Sequence, residues 1–217
     1  MIKIFSTVIL FSFLVSCNKD TGGSDNCSDS FEASCSLNLE PGVEDGTALP
    51  NSAYSFESNI LFVGTTVNEQ EKFDQAVELI KKVVATEEFR SAVLNHTYNG
   101  VKTFVDNSGY TNGQIYQKVL DAAEKLFPAK NNAIDMEVEL YYEDSNVVGY
   151  TTSNSKRIWV NNKFFVTNPI TGVATNLFHE WLHKVGFGHA VSYSTSRDYS
   201  VPYAVGRMIG SIGKNID

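Results

Sequence analysis

Apolar positions along this chain change their spacing several times, and each change marks an element. Ile60 to Val67 is a short β-branched run and reads as a strand. Asn68 can cap a helix in which Phe73, Val77, Ile80, Val83 and Val84 fall at helical spacing through Ala85. A shorter helix is predicted around Glu88–Leu94, and Val101–Val105 suggests a strand. Asn112 caps a second amphipathic helix, Ile115 to Phe127, with Val119, Leu120, Ala123 and Leu126 inward and Pro128 as its stop. Ile134–Tyr142 alternates, placing Met136, Val138 and Leu140 on one face. Val147–Thr152 and Arg157–Asn161 read as two strands joined by a turn at Ser153-Asn154-Ser155. Pro169 and Thr171 open a helix that runs to about Val185, with Leu177 and Trp181 on its core side. Asp198 to Tyr203 has turn character, and Ala204–Ile212 looks like the start of a C-terminal helix.

The first 55 residues have a different pattern. Lys3 precedes an apolar run from Ile4 to Val15, too short for a bilayer span and proportioned like a signal-peptide core. The run ends Leu14-Val15-Ser16-Cys17, which resembles the lipobox of bacterial lipoproteins. That resemblance implies cleavage after residue 16 and a membrane anchor of acyl chains on Cys17. The alternative is an ordinary secretory peptide and an exported protein. Asn18 is not aspartate, so an enterobacterial inner-membrane retention signal is absent and the outer membrane is expected in a Gram-negative cell envelope. Residues 17–55 are rich in Asn, Asp, Ser, Gly and Glu and read as a flexible tether. Cys27 and Cys35 within it are candidates for a small disulfide loop.

Residues 56–217 remain, about 160 positions, enough for one domain with a core. The formal charge of −8 is spread along the chain, which argues against nucleic acid as a partner. No Asp-rich loop has calcium-site spacing. A monomer is expected.

Chemistry concentrates between His179 and His189. The stretch His179-Glu180-Trp181-Leu182-His183-Lys184-Val185-Gly186-Phe187-Gly188-His189 holds three of the chain's four histidines. On a helix, His179 and His183 project from one face a turn apart, suited to sharing one Zn²⁺ at about 2.0–2.1 Å. Glu180 sits beside them as a base for a metal-activated water. Gly186 can take positive φ to end the helix and return His189 as third ligand. Three protein ligands leave a coordination position open, as catalytic zinc requires. By chance the pattern arises in on the order of 10⁻⁵ of such sequences, so it carries weight that HExxH alone lacks. His96, in the polar context Asn95-His96-Thr97-Tyr98, reads as a surface or capping residue rather than a ligand.

HExxHxxGxxH resembles the signature of the metzincin zinc endopeptidases at His179, Glu180, His183, Gly186 and His189. The resemblance implies an α+β, zincin-like catalytic domain: a small twisted mixed sheet with backing helices, an active-site helix and a short C-terminal subdomain. It implies Zn²⁺ as cofactor, a peptide or protein substrate, and hydrolysis with Glu180 as general base. An antiparallel edge strand would border the cleft, by position Val147–Thr152, where a peptide could add through backbone hydrogen bonds. The family's methionine-bearing turn is not matched: either Met208 fills that role or the Pro202-Tyr203 turn replaces it. Tyr203 is the candidate oxyanion partner, with Tyr193 and Tyr199 as competitors. A non-catalytic zinc-binding envelope lipoprotein, or a zinc hydrolase of a cell-wall amide or ester bond, is the alternative. A cysteine or acid of the tether occupying the open zinc position is a further possibility, though no latency motif is present.

Overall fold

Four strands form one open mixed sheet in the order β1-β2-β4-β3. These are β1 (Glu57–Val63), β2 (Ala133–Tyr141), β3 (Gly149–Thr151) and β4 (Arg157–Asn161). The computed structural model describes residues 55–64 and 66–216, so the signal segment, Cys17, Cys27 and Cys35 lie outside the described residues. β1 and β4 flank β2 in parallel, and β3 runs antiparallel to β4 at one edge. The strand expected over 147–152 is thus a three-residue edge strand. The observed class is α+β.

The alternation of β2 decides which face is covered. Met136 and Val138 point to the helices, in register with Ile60 and Phe62 of β1, and Ile158 of β4 continues the row beside Val138. The opposite face carries Glu137 and Glu139, bridged by Arg157 at 2.7 and 2.5 Å, and Trp159 stacked on Tyr150 with ring centroids 5.1 Å apart. A sheet with one solvated face needs only one apolar row per strand, as β2 has; β1 adds Leu61 and Val63 on the exposed face.

The helices are α1 (Val67–Val84), α2 (Glu87–Leu94), α3 (Asn112–Asp121), α4 (Asn162–Thr167), α5 (Ile170–Val185) and α6 (Val201–Gly213). Starts depend on capping, and here threonines take the role that the sequence suggested for asparagines. Thr66, not Asn68, caps α1, its hydroxyl taking the Glu69 N–H while the Glu69 carboxylate takes the Thr66 N–H. Thr111, not Asn112, caps α3 by the same reciprocal arrangement with Gln114. Asn112 instead turns inward and ties down the Leu94 and His96 carbonyls.

Two predicted elements are corrected. Val101–Val105 is not a strand: Asn99 and Gly100, both at positive φ, close a tight turn in which Tyr98 and Val101 exchange backbone hydrogen bonds. The second helix stops at Ala122 (φ +46) rather than at Phe127. Beyond that stop the helical spacing of Leu126 has no meaning, and its side chain is exposed. Glu124 is the residue that goes inside. The short α4 lies in a stretch with no predicted element, where the Asn161 side chain accepts the Lys163 N–H to start it. Among the described residues no helix is long and apolar enough to cross a membrane.

Helix α5 runs through the core with Leu177, Phe178, Trp181 and Leu182 fully buried. Helix α6 lies directly against it. Gly206 and Gly210 face α5, and a Cβ on Gly206 would stand 3.2 Å from the Thr175 carbonyl oxygen and 3.3 Å from His179 Cβ. Glycine at this seam lets the backbones approach closely. Tyr203 lies on the same face of α6 as Gly206 and Gly210, so the seam carries it to the histidines.

Candidate metal centre

The ligand segment is built by the way α5 ends. Gly186 takes φ +117, its N–H donates to the His183 carbonyl, and the Phe187 N–H reaches back to the Leu182 carbonyl. These are the two hydrogen bonds of a Schellman exit. Phe187 is buried beside the helix end, and its carbonyl oxygen lies 2.8 Å from His183 Nδ1. One structure therefore ends the helix, turns the chain towards His189 and orients the second histidine.

His189 is held in the same way, its Nδ1 lying 2.9 Å from the Ala190 carbonyl oxygen. A carbonyl only accepts, so each bonded nitrogen carries the proton and the other nitrogen of each ring presents a lone pair. The Pro202 backbone acts on His179 as a lesser upward influence on its pKa, outweighed by burial. His179 Nε2 and His189 Nε2 approach to 3.3 Å. A tetrahedral ion with bonds of about 2.0–2.1 Å separates its ligand atoms by about 3.3–3.4 Å. One ligand atom from each of His179, His183 and His189 falls within 4.8 Å of the others, and this group could hold a metal ion. Burial, reinforced by the neighbouring imidazoles, lowers His179 to about 3, and burial also lowers His183. Both rings are neutral near pH 7, the form that ligates.

Glu180 is 5 % exposed, yet it lines the cleft on both sides of the histidines. Burial raises its carboxyl to about 7, against a smaller downward pull from the Lys184 ammonium one turn away. No ion pair joins the two, because Lys184 has other partners. Its Nζ donates to the carbonyls of Thr152, Ser155 and Arg157 at 3.2, 2.5 and 2.9 Å. A single buried ammonium thus fastens the turn between β3 and β4 to the ligand helix. Its own burial lowers it to about 8.

The cleft has two lobes that meet at His179 and Glu180. One, of about 470 Å³, lies along Gly149–Ser153 and includes Lys125, His183, His189 and Tyr203. The other, of about 450 Å³, lies along Asn146–Gly149 and includes Asn176, Arg197, Tyr203 and Arg207. The edge strand β3 runs past both.

Tyr203 is brought to the centre. Its ring centroid lies 4.5 Å from that of His179 and 4.7 Å from that of His189, and its hydroxyl is bonded to the Arg197 guanidinium. It does not sit in a turn, as expected, but in the first turn of α6, where Pro202 is tolerated because the first helical N–H groups have no intrahelical partner. Met208 packs against the core. Tyr193 is 74 % exposed, and Tyr199 lies tilted against Tyr98 and His96, so neither competitor joins Tyr203 at the triad. His96 stacks on Phe104 at 4.1 Å and stands apart from the triad.

Sequence reasoning missed Lys184, Arg197 and Glu124. For Lys184 a signal existed: Glu180 and Lys184 are the only charged residues of α5 and stand four apart. Arg197 and Glu124 had none, since each acquires its role from a partner that sequence spacing does not single out. Glu124 Oε1 accepts from Trp181 Nε1 at 2.5 Å and from the Asp135 N–H at 3.0 Å, while Oε2 is buried without a partner. Burial raises this carboxyl to about 7.

No protein-family model matches the chain, and no curated protein matches it.

Proposed function

We propose that this chain is a metzincin-type zinc endopeptidase in which Glu180 is the general base. The observation that carries the reading is the meeting, in one cleft, of three histidines aimed at a common point, a buried carboxyl beside them and a free strand edge along the wall. A structural zinc needs neither the base nor the edge. When bound, Zn²⁺ supplies Lewis acidity, lowering the pKa of water and polarising a carbonyl.

The chain's own residues do the rest. The carbonyls of Phe187 and Ala190 fix ring orientation and tautomer at His183 and His189, a support that tunes ligand basicity. The backbone of β3 offers an extended substrate its outer hydrogen-bonding edge. Glu180 removes a proton from the attacking water and returns it to the leaving amine, work suited to a carboxyl titrating near neutrality. The Tyr203 hydroxyl, held by Arg197, stabilises the negative charge that develops on the carbonyl oxygen. Anchoring at Cys17 in the cell envelope completes the proposal.

The test is zinc per mole together with casein hydrolysis, for wild type and Glu180→Ala. One zinc in both proteins, with cleavage abolished in the variant and by a chelator, is the expected result. Hydrolysis at the wild-type rate in zinc-loaded Glu180→Ala defeats the mechanism, and a protein without zinc defeats the reading.

A further inference from the structure

The charge of the cleft is opposite to that of the protein. The chain carries −8 overall, yet among the described residues Glu180 is the only acid lining either lobe, and Lys125, Arg197 and Arg207 line them too. Acids near the rim are engaged elsewhere: Asp144 with Lys163 at 2.8 Å, and Asp198 with Arg207 at 3.5 Å. Lys125 and Arg197 have no carboxylate partner among the described residues. Arg197 Nη1 donates to the Val191 carbonyl at 2.9 Å, its guanidinium lies 4.5 Å from the Tyr203 ring centroid, and its Nε is buried without a partner. An arginine surrounded only by neutral acceptors retains an unmatched charge beside the histidines.

The two cations stand at opposite ends of β3. Lys125 belongs to the lobe along Gly149–Ser153, its stem packed against Gly186, and Arg197 to the lobe along Asn146–Gly149. A peptide lying along β3 passes one, then the point between the histidines and Glu180, then the other. We infer, resting on the peptidase reading, that the substrates are acidic peptide segments, with Asp or Glu side chains on both sides of the scissile bond read by Lys125 and by Arg197. Arg207, half matched by Asp198, extends the attraction beyond Arg197. The arrangement also excludes basic segments, since a lysine in either lobe would meet a like charge in a partly desolvated cleft.

The test uses the full-length chain, zinc-loaded, as Glu180→Gln so that binding is read without hydrolysis. Fluorescein-labelled peptides, in which Glu or Gln alternates at each position in turn, are titrated by anisotropy, and the unlabelled set is offered to wild type for cleavage. Glu peptides should bind about tenfold more tightly than their Gln counterparts at two clusters of positions, with the preference shrinking at high salt. Lys125→Gln should erase one cluster and Arg197→Gln the other, while Lys125→Glu should invert the first. Equal binding of Glu and Gln peptides, or tighter binding of Lys peptides, overturns the inference. Charge-blind cleavage by wild type overturns it while sparing the peptidase reading. Acid-selective binding without cleavage of any peptide spares the cleft assignment and overturns the peptidase reading.

Discussion

Between His179 and His189 nearly every determinant of the metal site is local. Two ligands come from successive turns of α5, the third comes just after its exit, and the carbonyls orienting His183 and His189 belong to Phe187 and Ala190. The wall opposite is assembled from parts far apart in the chain. Lys184 reaches back to Thr152, Ser155 and Arg157, Trp181 reaches Glu124, and Tyr203 and Arg197 arrive with α6 and the turn before it. The first region fixes where a metal could be held. The second fixes what can approach it. Local and non-local parts should therefore fail differently when altered.

The sharpest break is His183→Ala. It should weaken zinc binding more than about a hundredfold, read by chelator competition, with the fold intact by circular dichroism. Full zinc occupancy in competition would refute the ligand assignment.

Glu124→Gln probes the far wall through stability. The carboxyl of Glu124 titrates near 7 in the folded protein and near 4.5 when unfolded. Below the unfolded value both states are protonated and nothing is lost. As pH rises from about 4.5 to 7 the unfolded state releases its proton first, so this group destabilises the fold, by up to about 3 kcal/mol above pH 7. Glutamine keeps the acceptor for Trp181 and the Asp135 N–H without the charge. Denaturation midpoints should coincide for variant and wild type at acidic pH and favour the variant increasingly to pH 7. Parallel curves would show that Glu124 does not titrate there.

Lys184→Met removes the ammonium from three carbonyls and should cost about 2 kcal/mol. Zinc stoichiometry should persist, while KM for extended peptides rises more than kcat falls, because β3 loses its fixed distance from α5. An unchanged KM would mean that the β3–β4 turn is held by other contacts. Smallest is Gly206→Ala, where one methyl group meets the α5 backbone, with a cost of about 1 kcal/mol. Its readout is a shifted Tyr203 environment, seen in near-ultraviolet circular dichroism, and a spectrum identical to wild type would place the slack elsewhere.

The same division explains what could be read from the amino-acid order alone. The helix, its glycine exit and the three histidines were legible because each depends on residues within a few positions of itself. The edge strand was legible as a β-branched run, but its length was not, since only Gly149–Thr151 pairs in register with β4, while the Val147 and Val148 carbonyls are taken by Asn161 alone. Helix α3 misled because Ala123 and Leu126 continue a helical spacing past the point where Ala122 turns left-handed. Past that stop Glu124 is buried against Trp181, a contact spanning 57 positions that local spacing does not announce. Tyr203 was named for its residue type and reached the site for a reason visible in the chain, two glycines four apart on α6.

That glycine seam has a consequence for how the centre comes into being. A polypeptide emerges from its N-terminal end, so the histidine segment exists before α6 does. Until α6 docks, His179 lacks its Pro202 neighbour, and Tyr203 is absent from the His179 and His189 rings. Completion of the histidine cluster is therefore a late step in folding. An interrupted chain that ends short of Val201 carries the full HExxHxxGxxH sequence with the surroundings of that cluster unfinished.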